Sequence, residues 1–217
     1  VPSPFTDELL AAAEEVPWRP LPGSEGRRTL PLFRAPLLQG LFFDGHPALP
    51  YLLGVPLIGV VLEHAGAPQP SWAAWLLLGV AAWTLLEYGM HRFLFHPPTG
   101  HPVGRVLGFL VHGHHHRTPL ETTRLAATPL QMASALGLLF AVFGALLPPE
   151  VARPTFVGSV VGYLAYEGLH HMAHHGRPRW GPLRAVQRHH LRHHYDALEG
   201  NWGISSPVWD VVFRSRR

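Results

Sequence analysis

The sequence predicts an all-α integral membrane protein, with four transmembrane helices in two hairpins and a cytoplasmic helical cap that gathers a polyhistidine site. Three observations predict it. Four apolar runs of 19–25 residues, at about 47–65, 71–95, 128–147 and 154–174, carry almost no charge, which suits helices crossing a hydrocarbon core. The breaks inside each pair, GAPQP at 66–70 and Pro148 to Arg153, are too short for anything but a hairpin. Ten of the 17 histidines fall into four groups, all at the same end of these hairpins.

Composition narrows the class. The chain has 217 residues and 47% hydrophobic content, enough for one domain. Cysteine is absent, so neither a disulfide framework nor a thiolate metal site is available. All 17 basic residues are arginine, and the formal net charge is +3. Such a balance could suit nucleic acid, but the arginines are not interleaved with aromatics in one basic segment; no nucleic-acid partner is expected. The N-terminus lacks a basic region followed by an apolar core, so no signal peptide is read. High Ala, Arg, Gly and Pro usage without lysine points to a GC-rich bacterial genome and hence a plasma membrane.

Residues 1–46 form an N-terminal cytoplasmic or interfacial arm, and 47–217 a single membrane-embedded domain. Seven prolines interrupt residues 1–40. Asp7 to Glu15 can make one short helix with Thr6 as its N-cap. The following LPLFRAPLLQGLFF is apolar but broken by Pro31 and Pro36; it reads as a segment lying on the membrane or packing on the domain, with a solvated tail as the plainer reading. In the first span, Pro50 and Pro56 are tolerable within a bilayer. In the second, 19 residues separate Trp72 from His91, about 28 Å of helix against a hydrocarbon core of about 30 Å. His91 thus falls at the membrane boundary and His96 just outside it, where the helix frays before Pro97. Two hairpins put both termini and the 96–127 loop on one face. Sixteen of the 17 arginines lie on that face or at its edge, Arg153 being the exception, and the positive-inside rule makes it cytoplasmic. A soluble helical protein with very apolar core helices is the competing reading.

The histidine groups are His91 and His96; His112, His115 and His116; His170 and His174; and His190, His193 and His194. Positions i, i+3 and i+4 of a helix fall within about 100° of arc, so each triplet can converge on one point. Neutral imidazole is a common ligand for zinc, iron and copper, and ten imidazoles suit two metal ions. A solvated histidine tract would be contiguous, and these are not. The other seven histidines, His46, His64, His101, His114, His171, His175 and His189, are read as structural or as supports to the ligand imidazoles. Glu87 lies one turn before His91 and Glu167 three residues before His170. A carboxylate in an apolar helix is costly without a purpose, so both are assigned to orienting the ligand imidazoles; helix solvation by snorkelling is the alternative. Asp196 and Asp210 are weaker candidates.

No H-E-x-x-H or G-x-S-x-G occurs, which disfavours a zincin-type peptidase or a serine hydrolase. Few polar groups lie near mid-membrane, which disfavours a metal transporter. A dimetal site at the bilayer boundary suits a lipid whose head rests at the interface and whose chain reaches the metals. Attack on an unactivated C–H bond needs oxygen chemistry, hence a redox-active metal, iron rather than zinc. Tyr88, Phe93, Phe95 and Tyr166 are candidates to line the acyl path, or to form an interfacial belt.

The stretches EYGMHRFLFH, VHGHHHRTPLETTRLAATP, YLAYEGLHHMAHH, HLRHHY and NWGISSPVWDVVF resemble, in order and spacing over residues 71–213, the fatty acid hydroxylase superfamily (sterol desaturase/fatty acid hydroxylase), and above all its fatty acid 2-hydroxylases. The resemblance implies that the ten grouped histidines are metal ligands. It implies a dimetal centre assigned as di-iron, which zinc can occupy in isolated protein. It also implies use of O2 and two external electrons to place one oxygen beside an acyl carbonyl. Two acids differ from the usual aspartates, Glu167 and Glu121. No His-Pro-Gly-Gly haem motif of a cytochrome b5 domain occurs in residues 1–40, and no haem or flavin is expected in this chain, so a ferredoxin or cytochrome b5-like protein is the expected donor. A lipid desaturase or a sterol or carotenoid hydroxylase on the same scaffold is the near alternative. A zinc-dependent membrane hydrolase and a non-catalytic metal-binding membrane protein are the alternatives of other classes.

Overall fold

The computed structural model describes residues 3–20, 31–35, 37–39, 45–97 and 101–217. Among these the protein is helical; the one β interaction is an isolated antiparallel bridge between Phe5 and Phe33. Helix α1, Asp7–Glu14, begins as the sequence suggests, with the Thr6 hydroxyl accepting the Leu9 amide at 3.2 Å and so capping one of the first turn's free donors. Of the proline-broken segment, Leu32 is buried against α1, and Arg34 pairs with Asp7 at 3.0 Å; the remainder lies partly outside the described residues.

Helix α2, Leu49–Glu63, starts with Pro50 in its first turn and contains Pro56. Its 15 residues reach about 22 Å. The next helix runs further. Helix α3, Trp72–Gly89, passes without a break into a π-helical segment, Met90–Phe95. The reversal between α2 and α3 uses Gly66 at φ +82°, a conformation that costs glycine little. Helix α4, Pro102–Gly108, continues through a second π-helical segment, Phe109–Gly113, into α5, His114–Arg117. Helix α6, Pro129–Leu146, is opened by a capping box in which Thr128 and Gln131 satisfy each other's backbone amides. Helix α7, Pro149–His175, is 27 residues long. Helix α8, Gly181–Tyr195, and the short α9, Val208–Val212, complete the chain.

Helix α7 is the axis of the molecule: α2, α3, α6 and α8 all pack on it, and its middle from Thr155 to Val160 is buried on every side. Two stretches, Trp72–Phe95 and Thr122–Leu146, are long and apolar enough to cross a membrane. Their outward side chains, among them Leu77, Leu78, Leu138, Phe140 and Leu146, are exposed, as are Leu52, Val55 and Val60 of α2. An apolar belt of this extent is unfavourable against water and suits hydrocarbon. The protein is membrane-associated by this construction.

The approach of α3 to α7 depends on glycine. A Cβ at Gly79 would lie 1.9 Å from the Thr155 carbonyl oxygen, and one at Gly158 would lie 2.1 Å from that of Leu76. The backbones therefore touch directly, and the Ser159 hydroxyl donates to the Gly79 carbonyl at 2.9 Å. This is small-residue packing of the kind membrane helices use in place of a hydrophobic drive. Gly158→Val is expected to force the pair apart and to cost at least the ~1–3 kcal/mol of ordinary overpacking, because the obstacle is backbone. Thermal unfolding in detergent measures it, and an unchanged midpoint would contradict the argument.

The arm covers the cap. Leu9, Ala12, Ala13 and Trp18 form one core with Phe109 and Leu110. Glu14 pairs with Arg105 at 2.7 Å, and Glu15 with Arg117 at 2.5 Å. The Trp18 ring lies 5.7 Å from Phe109 and 6.1 Å from His96, so the arm roofs the histidine region.

Candidate metal centre

His91 and His96 are five residues apart, out of phase on an α-helix. The expected fraying is not what happens. The segment winds as a π-helix, and the His96 amide donates to the His91 carbonyl at 3.2 Å. An i to i+5 turn stacks residues five apart, so both imidazoles project to one side, a local device found often at functional sites. The second π-helical segment, Phe109–Gly113, carries His112 into α5.

The ten histidines assemble into two groups of five. One contains His91, His96, His112, His116 and His193; the other contains His115, His170, His174, His190 and His194. Within each group the candidate ligand atoms lie within 4.8 Å of one another. The division crosses the sequence. In each triplet, positions i and i+4 stay with the histidines of their own half, whereas the i+3 residue reaches into the other group. His115 joins the second half's histidines and His193 joins the first half's. The groups abut where the His116 and His194 rings stack, with centroids 4.1 Å apart.

The donors fit metal ions. Neighbouring Nε2 atoms in both groups are separated by 2.8–3.3 Å. Two nitrogens each about 2.1 Å from one ion lie about 3.0 Å apart at a right angle and about 3.4 Å apart at the tetrahedral angle. The observed spacings suit nitrogens that share one ion. The tautomers agree. His91 Nδ1 donates to the Trp202 carbonyl at 2.5 Å, and His193 Nδ1 to the Gly200 carbonyl at 2.8 Å. Their Nε2 atoms therefore carry lone pairs, aimed at other nitrogens, an arrangement that is repulsive unless a cation lies between. The chemistry of this donor set is that of a pair of metal sites.

Burial, reinforced by neighbouring imidazoles, holds His112, His115, His116, His190 and His194 well below the usual histidine range; His193 lies well below it too, also chiefly through burial. These rings are neutral near pH 7. Because their folded pKa values are depressed, the unfolded chain binds more protons below about pH 6.5, and stability falls as pH drops from there. The metal-free protein is expected to lose thermal stability steadily from about pH 6.5 downward, and metal-loaded protein to release metal over the same window. Thermal scans and elemental analysis against pH check this; a flat response between pH 6.5 and 5 would contradict it.

The carboxylates act on backbone. Glu87 accepts the Ile204 and Ser205 amides at 2.6 and 2.8 Å and the Ser205 hydroxyl. Glu167 accepts the Ala127 amide at 3.2 Å. Asp210, fully buried, accepts the Trp202 and Gly203 amides, both at 2.8 Å, the Ser215 hydroxyl at 2.7 Å and His189 at 3.0 Å. Burial alone would raise the Asp210 carboxyl, but these four donors together hold it below the usual carboxylate range. Glu87 and Asp210 thus clamp the Gly200–Ser206 loop whose carbonyls receive His91 and His193. Sequence reasoning missed those two carbonyls, since backbone acceptors leave no residue-type signal. Asp196 ends α8, its amide bonded to the Arg192 carbonyl at 2.8 Å.

A cavity of about 470 Å³ runs between α3 and α6 to the centre. Leu86, Met90, Leu130, Ala135 and Leu138 line its apolar length, and His91, His112, His115 and His170 stand at its end. Both histidine groups therefore face it. Phe95 and Tyr166 line it as expected. Tyr88 instead is buried beside Ser215, at 2.9 Å, and Phe93 is 60% exposed. None of the other seven histidines enters either group. His189 holds Asp210, His101 caps α4, His171 and His175 pair with ring centroids 4.7 Å apart, and His114 lines the cavity near Glu121.

Fold and site together define a helical, membrane-associated protein with two polyhistidine groups able to hold metal ions at the end of an apolar cavity. Residues 76–215 match the family described as fatty acid hydroxylase. The chain belongs to that family. It is 34% identical over 151 residues to the fatty acid 2-hydroxylase of Rattus norvegicus, covering 68% of this chain and 41% of the rat protein. It is 35% identical over 162 residues to a dihydroceramide fatty acyl 2-hydroxylase of Arabidopsis thaliana, covering 73% of this chain and 68% of that protein. It is 34% identical over 172 residues to a ceramide very long chain fatty acid hydroxylase of Saccharomyces cerevisiae, covering 75% of this chain and 44% of that one. A solved structure of full-length scs7p, with only the hydroxylase domain visible, matches with a TM-score of 0.78 and 26% identity, over 100% of this chain and 94% of that chain. The chain thus spans less than half the length of the rat and yeast relatives.

Proposed function

We propose that the protein is a membrane-bound di-iron monooxygenase that hydroxylates a lipid acyl chain at C2. The observation that carries this reading is the cavity: an apolar passage open to acyl chains ends on ligands of both histidine groups. The names of the relatives, fatty acid 2-hydroxylase and dihydroceramide fatty acyl 2-hydroxylase, support the position attacked.

The reaction consumes one O2, two electrons and two protons, converts a C–H bond to C–OH, and releases one water. When bound, a redox-active metal pair supplies the reduction of O2 and the attack on the C–H bond. The protein's own residues do the rest. His91, His96, His112, His116 and His193 would hold one metal, and His115, His170, His174, His190 and His194 the other. Neutral imidazoles alone leave the metal charge uncompensated by carboxylate. Glu87 holds the loop that fixes the His91 ring, and Glu167 holds the Ala127 backbone at the cavity wall. Leu86, Met90, Leu130 and Leu138 align the chain and keep water from the reacting carbon. Five nitrogens per group exceed the three protein ligands and open water position of a hydrolytic zinc site.

The four apolar segments cross the bilayer as two hairpins, with the termini and the metal centre on the cytoplasmic face, in keeping with the distribution of arginines. The electrons come from outside this hydroxylase region, from a ferredoxin or cytochrome b5-like carrier. Lipid mass spectrometry tests the reading in cells expressing wild-type protein or His115→Ala. A wild-type-only gain of one oxygen at acyl C2 is expected. A loss of two hydrogens instead would make it a desaturase, and an unchanged lipid profile with a metal-loaded, donor-supplied enzyme would overturn it.

A further inference from the structure

Helix α8 is two-faced. His190, His193 and His194 point inward and are buried, while Arg184, Arg188 and Arg192 are exposed at i, i+4 and i+8 on the outer side. Arg177 and Arg179 extend the exposed surface ahead of the helix, and Trp180, 66% exposed, stands at its start. Among the described residues none of these five arginines has an ion-pair or hydrogen-bond partner for its side chain. From residue 177 onward the sequence holds eight arginines against three acids, of which Asp210 is buried. An aligned row of uncompensated guanidinium groups is electrostatically unfavourable in isolation and creates a strong positive field.

We propose that this face of α8 is the docking surface for an acidic, one-electron carrier protein that reduces the metal centre. The inference rests on the monooxygenase reading above, because only a redox reaction calls for such a partner. Three features select this occupant over an anionic lipid surface. A helix lying on a membrane needs an apolar face to bury, but the inward face of α8 is occupied by the buried histidines, and its outer face carries Arg184, Arg188 and Arg192. Exposed arginines beside an exposed Trp are a composition enriched at protein interfaces. The stripe also sits back to back with the ligands. A carrier seated there is separated from the metals by the thickness of one helix, about 10–12 Å, short enough for direct electron transfer.

The test uses metal-loaded full chain in neutral-lipid nanodiscs and the triple variant Arg184→Gln/Arg188→Gln/Arg192→Gln. The probes are a soluble acidic [2Fe–2S] ferredoxin and a soluble acidic cytochrome b5 haem domain, each fluorescently labelled. For wild type, binding of at least one probe is expected to weaken with added salt. The triple variant is expected to bind that probe about tenfold more weakly, with a flatter salt dependence, and to keep its metal content and melting temperature. Product formation driven by the probe falls accordingly, while that driven by dithionite is unchanged. Equal binding by wild type and variant, or binding of neither probe to wild type, overturns the proposal. So does a variant whose only defect is weaker association with anionic vesicles. If wild type binds the carrier yet yields no oxygenated lipid with any reductant, the docking surface stands and the monooxygenase reading fails.

Discussion

His193→Ala is expected to remove metal from the group built by the other half of the chain. His193 sits between its neighbours His190 and His194 in sequence, yet its Nε2 lies 3.1 Å from that of His116 and 3.3 Å from that of His96. The reason is helical phase. Residues i and i+4 sit nearly above one another, whereas i+3 is offset to the side, and the two ligand-bearing helices lie close enough for that offset to reach the opposite group. Elemental analysis of His193→Ala should give about one metal per chain in place of two, with the four-histidine remnant at His91, His96, His112 and His116 the weakened site. Activity should fall by more than the ~10–100-fold cost of losing a mere hydrogen-bond partner to a ligand. His194→Ala should instead weaken the group at His115, His170, His174 and His190. Absorption or X-ray spectra of cobalt-substituted protein, compared between the two variants, distinguish which site remains. If His193→Ala and His194→Ala deplete the same site, the crossed arrangement is wrong.

The same crossing shows what a sequence conveys and what it withholds. Spacing identified ten histidines as a set, because i, i+3, i+4 repeats beside apolar helices are visible in one dimension. Their division into fives was not visible, since it depends on how far apart α5 and α8 lie. The five-residue separation of His91 and His96 looked like an end effect near Pro97; the π-helical winding that aligns them has no marker in residue type. Thr6 and the Thr128–Gln131 box are local signals, and both act where they stand. The first apolar run was legible as a helix, but its 15 residues are fewer than its apolar length suggested. Glu87 stood out as a carboxylate in an apolar helix, yet its partners are amides more than a hundred residues away. The cavity was illegible, because it is a gap between α3 and α6 and gaps have no sequence.

Asp210→Ala should loosen one metal site from a distance. The carboxylate satisfies two amides, one hydroxyl and one imidazole in a fully buried position. Removing it strands these donors, each costing about 1–3 kcal/mol when buried and unpaired, so a net loss of about 3 kcal/mol is a modest expectation after relaxation. For a chain of this size that corresponds to a fall of about 6–12 °C in melting temperature. The more telling effect is on metal. Trp202, held by Asp210, offers its carbonyl to His91, and Gly200 of the same loop offers its carbonyl to His193. Both histidines belong to the group with His96, His112 and His116. Release of the loop frees their rings to rotate and to change tautomer, so that group should lose metal affinity by about 10–100-fold. The group with His115 has no ring bonded to this loop among the described residues and should keep its ion. Glu87→Leu removes the other end of the same clamp and should reproduce the selective loss. A chelator titration that strips one metal early from Asp210→Ala and Glu87→Leu, but both together from wild type, is the expected result. Equal loosening of both metals would mean that the loop supports the fold as a whole rather than the two imidazoles it touches.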